Sequence, residues 1–211
     1  MLEAAATDVI FDNGMFRVVG TDSQVDIVEV ACAAYKSDAV PEGMELGLFA
    51  TDTFVPEAPT FPNGCHVVEV EIDPETGKCE ILKYSVTDDV GTVINELTLE
   101  GQVHGGIGQG VGQVFGEQIV YDEAGQLITG SLLDYGMPRA DDMCSFDLSN
   151  NPVPTKLNPL GAKGAGEAGN VGALAAIMNA VVDALAPLGV RHLDMPATPE
   201  KVWRVIREAT T

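Results

Sequence analysis

Two glycine-dense segments, EGQVHGGIGQGVGQ at 100–113 and NPLGAKGAGEAGNVG at 158–172, constrain this chain more than any other feature. Glycine in a helix interior costs about 1 kcal/mol relative to alanine, so a stable helix carries a run of them only for a reason. One reason is packing, because two backbones approach closely where a side chain is missing. The other is ligand contact: bare N–H groups can reach a large polar ligand, as glycine-rich loops at helix starts do for phosphates. The residues alone leave both readings open.

Within the second segment, GAGEAG is formally a G-x-G-x-x-G. The dinucleotide-binding form of that pattern needs a strand immediately before it and an acidic residue ending a later strand. Here KLNPLGAK precedes it and an apolar, helix-like run follows, so the pattern is not a nucleotide fingerprint. No Gly-Lys-Ser/Thr follows either, which excludes a P-loop. Glu167 stands out because it lies among residues with almost no side chains, just before an expected helix start near Asn170. A carboxylate held there by backbone donors, at the positive end of a helix dipole, suits a general base. The alternative is a surface helix cap.

The rest of the chain predicts an α+β fold, with several β-hairpins packed with a Gly-rich helix and a buried apolar helix. Residues 8–20 read as a hairpin around Asp12-Asn13-Gly14, and Gln24 to Lys36 as a short amphipathic helix. Residues 40–63 look irregular. In a second hairpin Val68, Val70 and Ile72 alternate with Glu69 and Glu71, DPETGK turns, and Ile81 to Thr87 returns. That alternation gives one buried and one solvated face. A helix over 96–118, a third hairpin turning at Asp122-Glu123-Ala124-Gly125 and an extended run from Ser145 to Val153 follow. Ala173–Ala186, apolar all round, predicts a core helix ended by Pro187 and Gly189, and Thr198-Pro199 opens the last helix. Without regular strand–helix alternation, this order argues α+β. No composition shift divides the chain, so residues 1–211 read as one segment.

Composition removes whole classes of function. A formal net charge of −21, from 32 acidic and 11 basic residues, repels phosphate backbones and anionic membranes. Cys32, Cys65, Cys79 and Cys144 offer no Cys-x-x-Cys pair, so neither zinc nor iron–sulfur ligation is expected, and no protein metal ligands at all. The N-terminus lacks the basic and apolar regions of a signal peptide. Buried, reduced thiols are expected, and with the absence of a visible leader they point to the cytoplasm. The apolar run at 171–188 contains Asn179 and Asp183 and reads as a buried helix, not a membrane span.

Taken together, GQVHGGIGQGVGQ, YDEAGQLITGSLLDYGMPRADD and NPLGAKGAGEAG resemble the C-terminal region of molybdenum hydroxylase large subunits. That family includes xanthine dehydrogenases, aldehyde oxidases and aerobic carbon monoxide dehydrogenases. FPNGCHVVEVEIDPETG and the Asp-x-Gly-x-x-x-Asn of DVGTVIN at 89–95 extend the resemblance over nearly the whole chain in one order. It implies that Glu167 is the base that deprotonates the hydroxyl attacking the substrate carbon. It also implies that Gln109 bonds the molybdenum–molybdopterin cofactor through its amide, with Gly110 permitting close approach beside it. Gly164, Ala165 and Gly166 would bring backbone N–H groups to the pterin, in a cytosine dinucleotide form of the cofactor. Lys163 and His104 are expected to pack or lie at the surface. Where many relatives have Asn-Pro, this chain has Asn95-Glu96, which is expected to alter only a helix start.

Family large subunits are several times longer. The implied partners are therefore an N-terminal portion of the large subunit, flavin and iron–sulfur subunits or domains, and a small-molecule substrate: an aldehyde, a purine-like heterocycle or carbon monoxide. The competing reading is a noncatalytic fragment or assembly module that keeps the fold and binds no cofactor alone.

Overall fold

Asn13 and Gly14 both have positive φ, +48° and +80°. Two consecutive left-handed residues are what a two-residue hairpin turn demands, and Asn-Gly supplies them at low cost. The turn joins β1 (Val9–Asp12) to β2 (Met15–Val18). In this computed structural model, which describes residues 1–210, the chain folds as two compact units, Met1–Val55 and one from Pro56 onward.

In the first unit β2 also pairs antiparallel with β3 (Gln24–Asp26), and α1 (Ile27–Ala33) follows. The helix expected from Gln24 therefore begins only at Ile27. Gln24-Val25-Asp26 alternates with period two, burying Val25 between two exposed neighbours, and sheet pairing wins over helix at these residues. Asp26 then caps α1, accepting from Val28 N at 2.6 Å.

The second unit is built on β4 (Asn63–Ile72) and β5 (Cys79–Asp89), an antiparallel pair with a bulge between Glu69 and Val70. The alternation is as expected: His66, Val68, Val70 and Ile72 turn inward and the residues between them are exposed. Gly77, in the DPETGK turn, has φ +73°, and a Cβ there would strike the Pro199 carbonyl. Conformation and space both demand glycine. β6 (Phe146–Asn150) joins parallel to β5, pairing Phe146 with Tyr84.

Asn95 caps α2 (Glu96–Phe115), its side chain accepting from Thr98 N at 3.0 Å. α3 (Ala168–Leu185) packs on α2 and β4. At this crossing a Cβ on Gly110 would lie 2.5 Å from the Ala173 Cβ, and one on Gly106 would lie 2.8 Å from Asn170 N. The first glycine segment is therefore in part a packing device, since these absent side chains bring the two axes together.

α3 buries Gly169, Ala173, Ile177, Val181 and Leu185, a strict i+4 stripe, against a core that includes Tyr84, Val86, Val103, Ile107 and Val111. The sequence suggested burial all round, yet Val171 is 69% exposed. By length and composition α3 could cross a bilayer; here one face is packed on protein. α4 (Pro199–Ala209) starts at Thr198, as expected, and buries Val202 and Ile206.

The third hairpin forms only as a turn. Asp122 accepts from the N–H groups of Ala124 and Gln126, but the flanks pair at a single bridge, Tyr121 with Leu127. Tyr121 and Ile128 are exposed, so the flanks have no buried face to hold them as strands.

Candidate active site

The loop before α3 is fixed from the end of β5. The Asp89 carboxylate accepts from Gly91 N and Val153 N, both at 2.9 Å, from Asn63 Nδ2 at 3.2 Å and from Lys163 Nζ at 2.5 Å. The Lys163 ammonium, then the Val153 and Gly91 N–H groups, hold this carboxyl well below the usual carboxylate range. Lys163 N donates to Val90 O at 2.8 Å, and Asn158 brackets Ala162 with a bond in each direction. Lys163 is thus neither a surface residue nor a simple packing group. It anchors the loop.

Beyond Lys163 the chain is tied again where Gln102 Nε2, on α2, donates to Gly166 O at 2.8 Å. Between these ties, and among the described residues, the backbone N–H groups of Gly164, Ala165, Gly166 and Glu167 have no acceptor in the chain. Neither Gly164 nor Gly166 lies in the left-handed region, and a Cβ on either would meet nothing within 4 Å. Neither turn geometry nor internal packing requires these two glycines. What they do is leave the donors open to approach from outside.

Glu167 is the N-cap residue of α3. Its side chain makes no capping bond and is exposed. With Gly164, Gly166, Ala168, Val171 and Gly172 it lines one side of a cleft of about 530 Å³, whose other side includes Phe61, Pro62, Gly64, His66 and Asp88.

Two residues that line this cleft, His66 and Asp88, belong to a polar cluster that sequence reasoning missed. His66 Nδ1 lies 2.6 Å from Tyr84 Oη, and His66 Nε2 lies 3.7 Å from Asp88 Oδ1. Glycines shape the space: a Cβ on Gly172 would overlap the His66 ring at 2.5 Å, and one on Gly64 would strike Asp88 Oδ1. Burial, and next the Asp88 charge, push the Tyr84 phenol far above its ordinary value. A signal was available in the sequence, for His66 stands in the inward register of Val68, Val70 and Ile72, an uncommon place for a polar side chain without a partner.

Of the residues singled out from sequence, the structure brings Glu167, Gly164 and Gly166 together on the cleft, with Ala165 packed against the core beside them. Gln109 is exposed on α2 and outside this cleft's lining, and Gly110 is buried at the α3 crossing. His104 stacks on Phe146, ring centroids 5.3 Å apart, in keeping with a packing role. No cluster of side chains suited to hold a metal ion occurs among the described residues.

Fold and loop define a class: an α+β segment that presents unpaired backbone donors at a helix start beside a free carboxylate. The particular family follows from the comparisons. Residues 1–144 match the molybdopterin cofactor-binding domain family. Over 98% of its length the chain is 41% identical to the nicotine 6-hydroxylase large subunit of Paenarthrobacter nicotinovorans, covering 26% of that protein. It is 36% identical to the carbon monoxide dehydrogenase large chain of Hydrogenophaga pseudoflava, over 99% of this chain and 26% of that one. Among solved structures, quinoline 2-oxidoreductase from Pseudomonas putida 86 superposes with a TM-score of 0.85 at 39% identity, covering 98% of this chain and 27% of that one. The chain belongs to the molybdopterin cofactor-binding family of molybdenum hydroxylase large subunits. It spans about a quarter of the length of the curated relatives it matches.

Proposed function

We propose that this chain is the C-terminal segment of the molybdopterin-binding part of a molybdenum hydroxylase large subunit, and that Glu167 is the catalytic base. One observation carries the reading. Glu167 and four consecutive N–H groups without acceptors among the described residues share one short loop, tied by Lys163–Asp89 and Gln102–Gly166. Such a row of donors at a helix start fits the electronegative edge of a molybdopterin cofactor, here assigned the cytosine dinucleotide form. The cofactor, when bound, supplies the two-electron acceptor and the oxygen-transfer chemistry. The chain's own part is simpler. Backbone N–H groups of residues 164–167 donate to the ligand, and Gln109 offers its amide from the exposed side of α2, with Gly110 beside it. The Glu167 carboxylate takes the proton from the attacking hydroxyl and then returns it to solvent.

In this reading the remaining walls come from the N-terminal portion of the large subunit, and electrons leave through flavin and iron–sulfur partners in the cytoplasm. The substrate is a small molecule, within the range of aldehydes, heterocycles and carbon monoxide. The test is Glu167→Gln in the complete enzyme. Turnover falls by about 10²–10⁴-fold, the usual share of general-base assistance, while molybdenum content stays normal. Near-wild-type turnover overturns the assignment.

A further inference from the structure

The Glu167 side chain makes no capping bond, so its place is inherited from the backbone at the start of α3. That start has no cap of its own. α1, α2 and α4 begin on the side chains of Asp26, Asn95 and Thr198, whereas α3 begins without one. The first turn of such a helix is held by what packs against it. Two glycines mark the contacts. A Cβ on Gly169 would strike Val103 O, so α2 presses directly on the α3 backbone. A Cβ on Gly172 would lie 2.5 Å from His66 Cδ2 and Nε2, so the imidazole does the same from β4.

The imidazole is itself held. Its side chain is only 5% exposed, and Nδ1 lies 2.6 Å from Tyr84 Oη. Burial, and next the Asp88 charge, keep the proton on the Tyr84 phenol, so Tyr84 donates and Nδ1 accepts. Tyr84 in turn is fully buried and packs on Phe146, ring centroids 5.3 Å apart. The ring is therefore fixed to the sheet on one edge and meets the bare backbone of α3 on another.

We propose that His66 is a positioning residue for the candidate base: clamped by Tyr84, its ring is the stop against which the start of α3 is seated at Gly172, and this sets where Glu167 stands. The catalytic half of the proposal rests on Glu167 being the base; the seating of the helix does not. Five residues separate Gly172 from Glu167, about 7.5 Å along a helix axis. A shift at the stop thus reaches the carboxylate within about one and a half turns. Misplacing a reacting group by about 1 Å costs up to about 100-fold in rate.

The test is a double-mutant cycle between His66 and Gly172 in the complete enzyme, read by amide exchange and by kinetics. His66→Ala removes the stop and raises exchange at residues 168–172 about tenfold, while residues 181–185 stay protected. Gly172→Ala overlaps the ring and does the same. In the double variant the new methyl enters the space that the ring leaves, and exchange returns toward the wild-type rate. In each single variant kcat falls about tenfold with KM and molybdenum content unchanged, and it recovers in the double variant. Tyr84→Phe keeps both rings and loses only the clamp. It gives a smaller effect of the same kind, and it decides the question where His66→Ala does not fold. Val181→Ala opens a cavity further along the buried face of α3 and lowers stability without moving kcat. Added to Glu167→Gln, His66→Ala causes no further loss of activity, which connects the effect to that carboxylate. Additive exchange effects of His66→Ala and Gly172→Ala overturn the seating, whichever residue is the base. A coupled exchange effect with unchanged kcat overturns the positioning role, and the Glu167→Gln result is read separately.

Discussion

Lys163 Nζ lies 2.5 Å from Asp89 Oδ2, an ion pair with side chains only 13% and 10% exposed, and it ties the end of β5 to the loop that ends in Glu167. The pair closes a span of many residues, so its loss is felt where the loop must hold its shape. Breaking one half of such a pair leaves the other half poorly solvated.

The first prediction is a pH dependence. The Asp89 pKa is lowered in the folded protein, by Lys163 first and then by two backbone N–H groups. A depressed folded pKa means stability that is fully present above the unfolded value, about 3.9. That contribution is lost as pH falls through the folded value. Urea midpoints measured from pH 6 down to about 2.5 therefore fall more steeply for the wild type than for Asp89→Asn, which has no proton to take up at that position. Parallel curves show that Asp89 carries no such linkage.

Much of this architecture was legible in the sequence, because local rules and tertiary packing agree along most of it. Asn13-Gly14, the alternation of β4 and the Thr198-Pro199 helix start each appear where the residues put them. Glu167 was singled out because glycines isolate it. The misses around the candidate site share a cause, which is pairing distant in sequence. Parallel β6 against β5, Lys163 on Asp89 and Gln102 on Gly166 join residues tens of positions apart, and no local periodicity reports them. The register of β4 could have flagged His66, but its partners Asp88 and Tyr84 went unseen, since only the pairing of β4 on β5 brings them to it.

The glycines of α2 make two opposite predictions. Gly101 is exposed and a Cβ there would meet nothing within 4 Å, whereas one on Gly110 would overlap Ala173. Gly101→Ala therefore stabilises the protein by about 0.5–1 kcal/mol through backbone entropy. Gly110→Ala destabilises it by about 1–3 kcal/mol through overpacking. Chemical denaturation of the two variants checks both signs. A stabilising Gly110→Ala shows that the helices can separate without cost.

Gln102 and Gln109 are separable. Gln102 holds the loop through Gly166 O at 2.8 Å, while the Gln109 side chain has no partner among the described residues and is exposed. In the complete enzyme, Gln109→Ala lowers cofactor retention together with activity, since a lost hydrogen bond to a buried ligand costs about 1–3 kcal/mol. Gln102→Ala instead raises amide exchange at residues 164–167, with or without cofactor. Full molybdenum occupancy and unchanged kinetics in Gln109→Ala assign that residue to the surface.

The last prediction concerns the 211-residue chain by itself. Ligand sites bury most of their ligand's surface, but the donors of residues 164–167 and the Glu167 side chain line a cleft on this chain that leaves Glu167 exposed. The net charge of −21 opposes capture of an anionic pterin unless contacts surround it. Purified alone, the chain carries no stoichiometric molybdenum and hydroxylates no aldehyde. Leu97, Val171 and Phe61, at 79%, 69% and 74% exposed, are the kind of apolar surface that another part of a subunit covers, and left bare they favour self-association. Elemental analysis and light scattering on one preparation decide both points. About one molybdenum per chain, in a monomer that turns over an aldehyde, shows that the site is complete without the upstream portion and that the division of labour proposed for the large subunit is wrong.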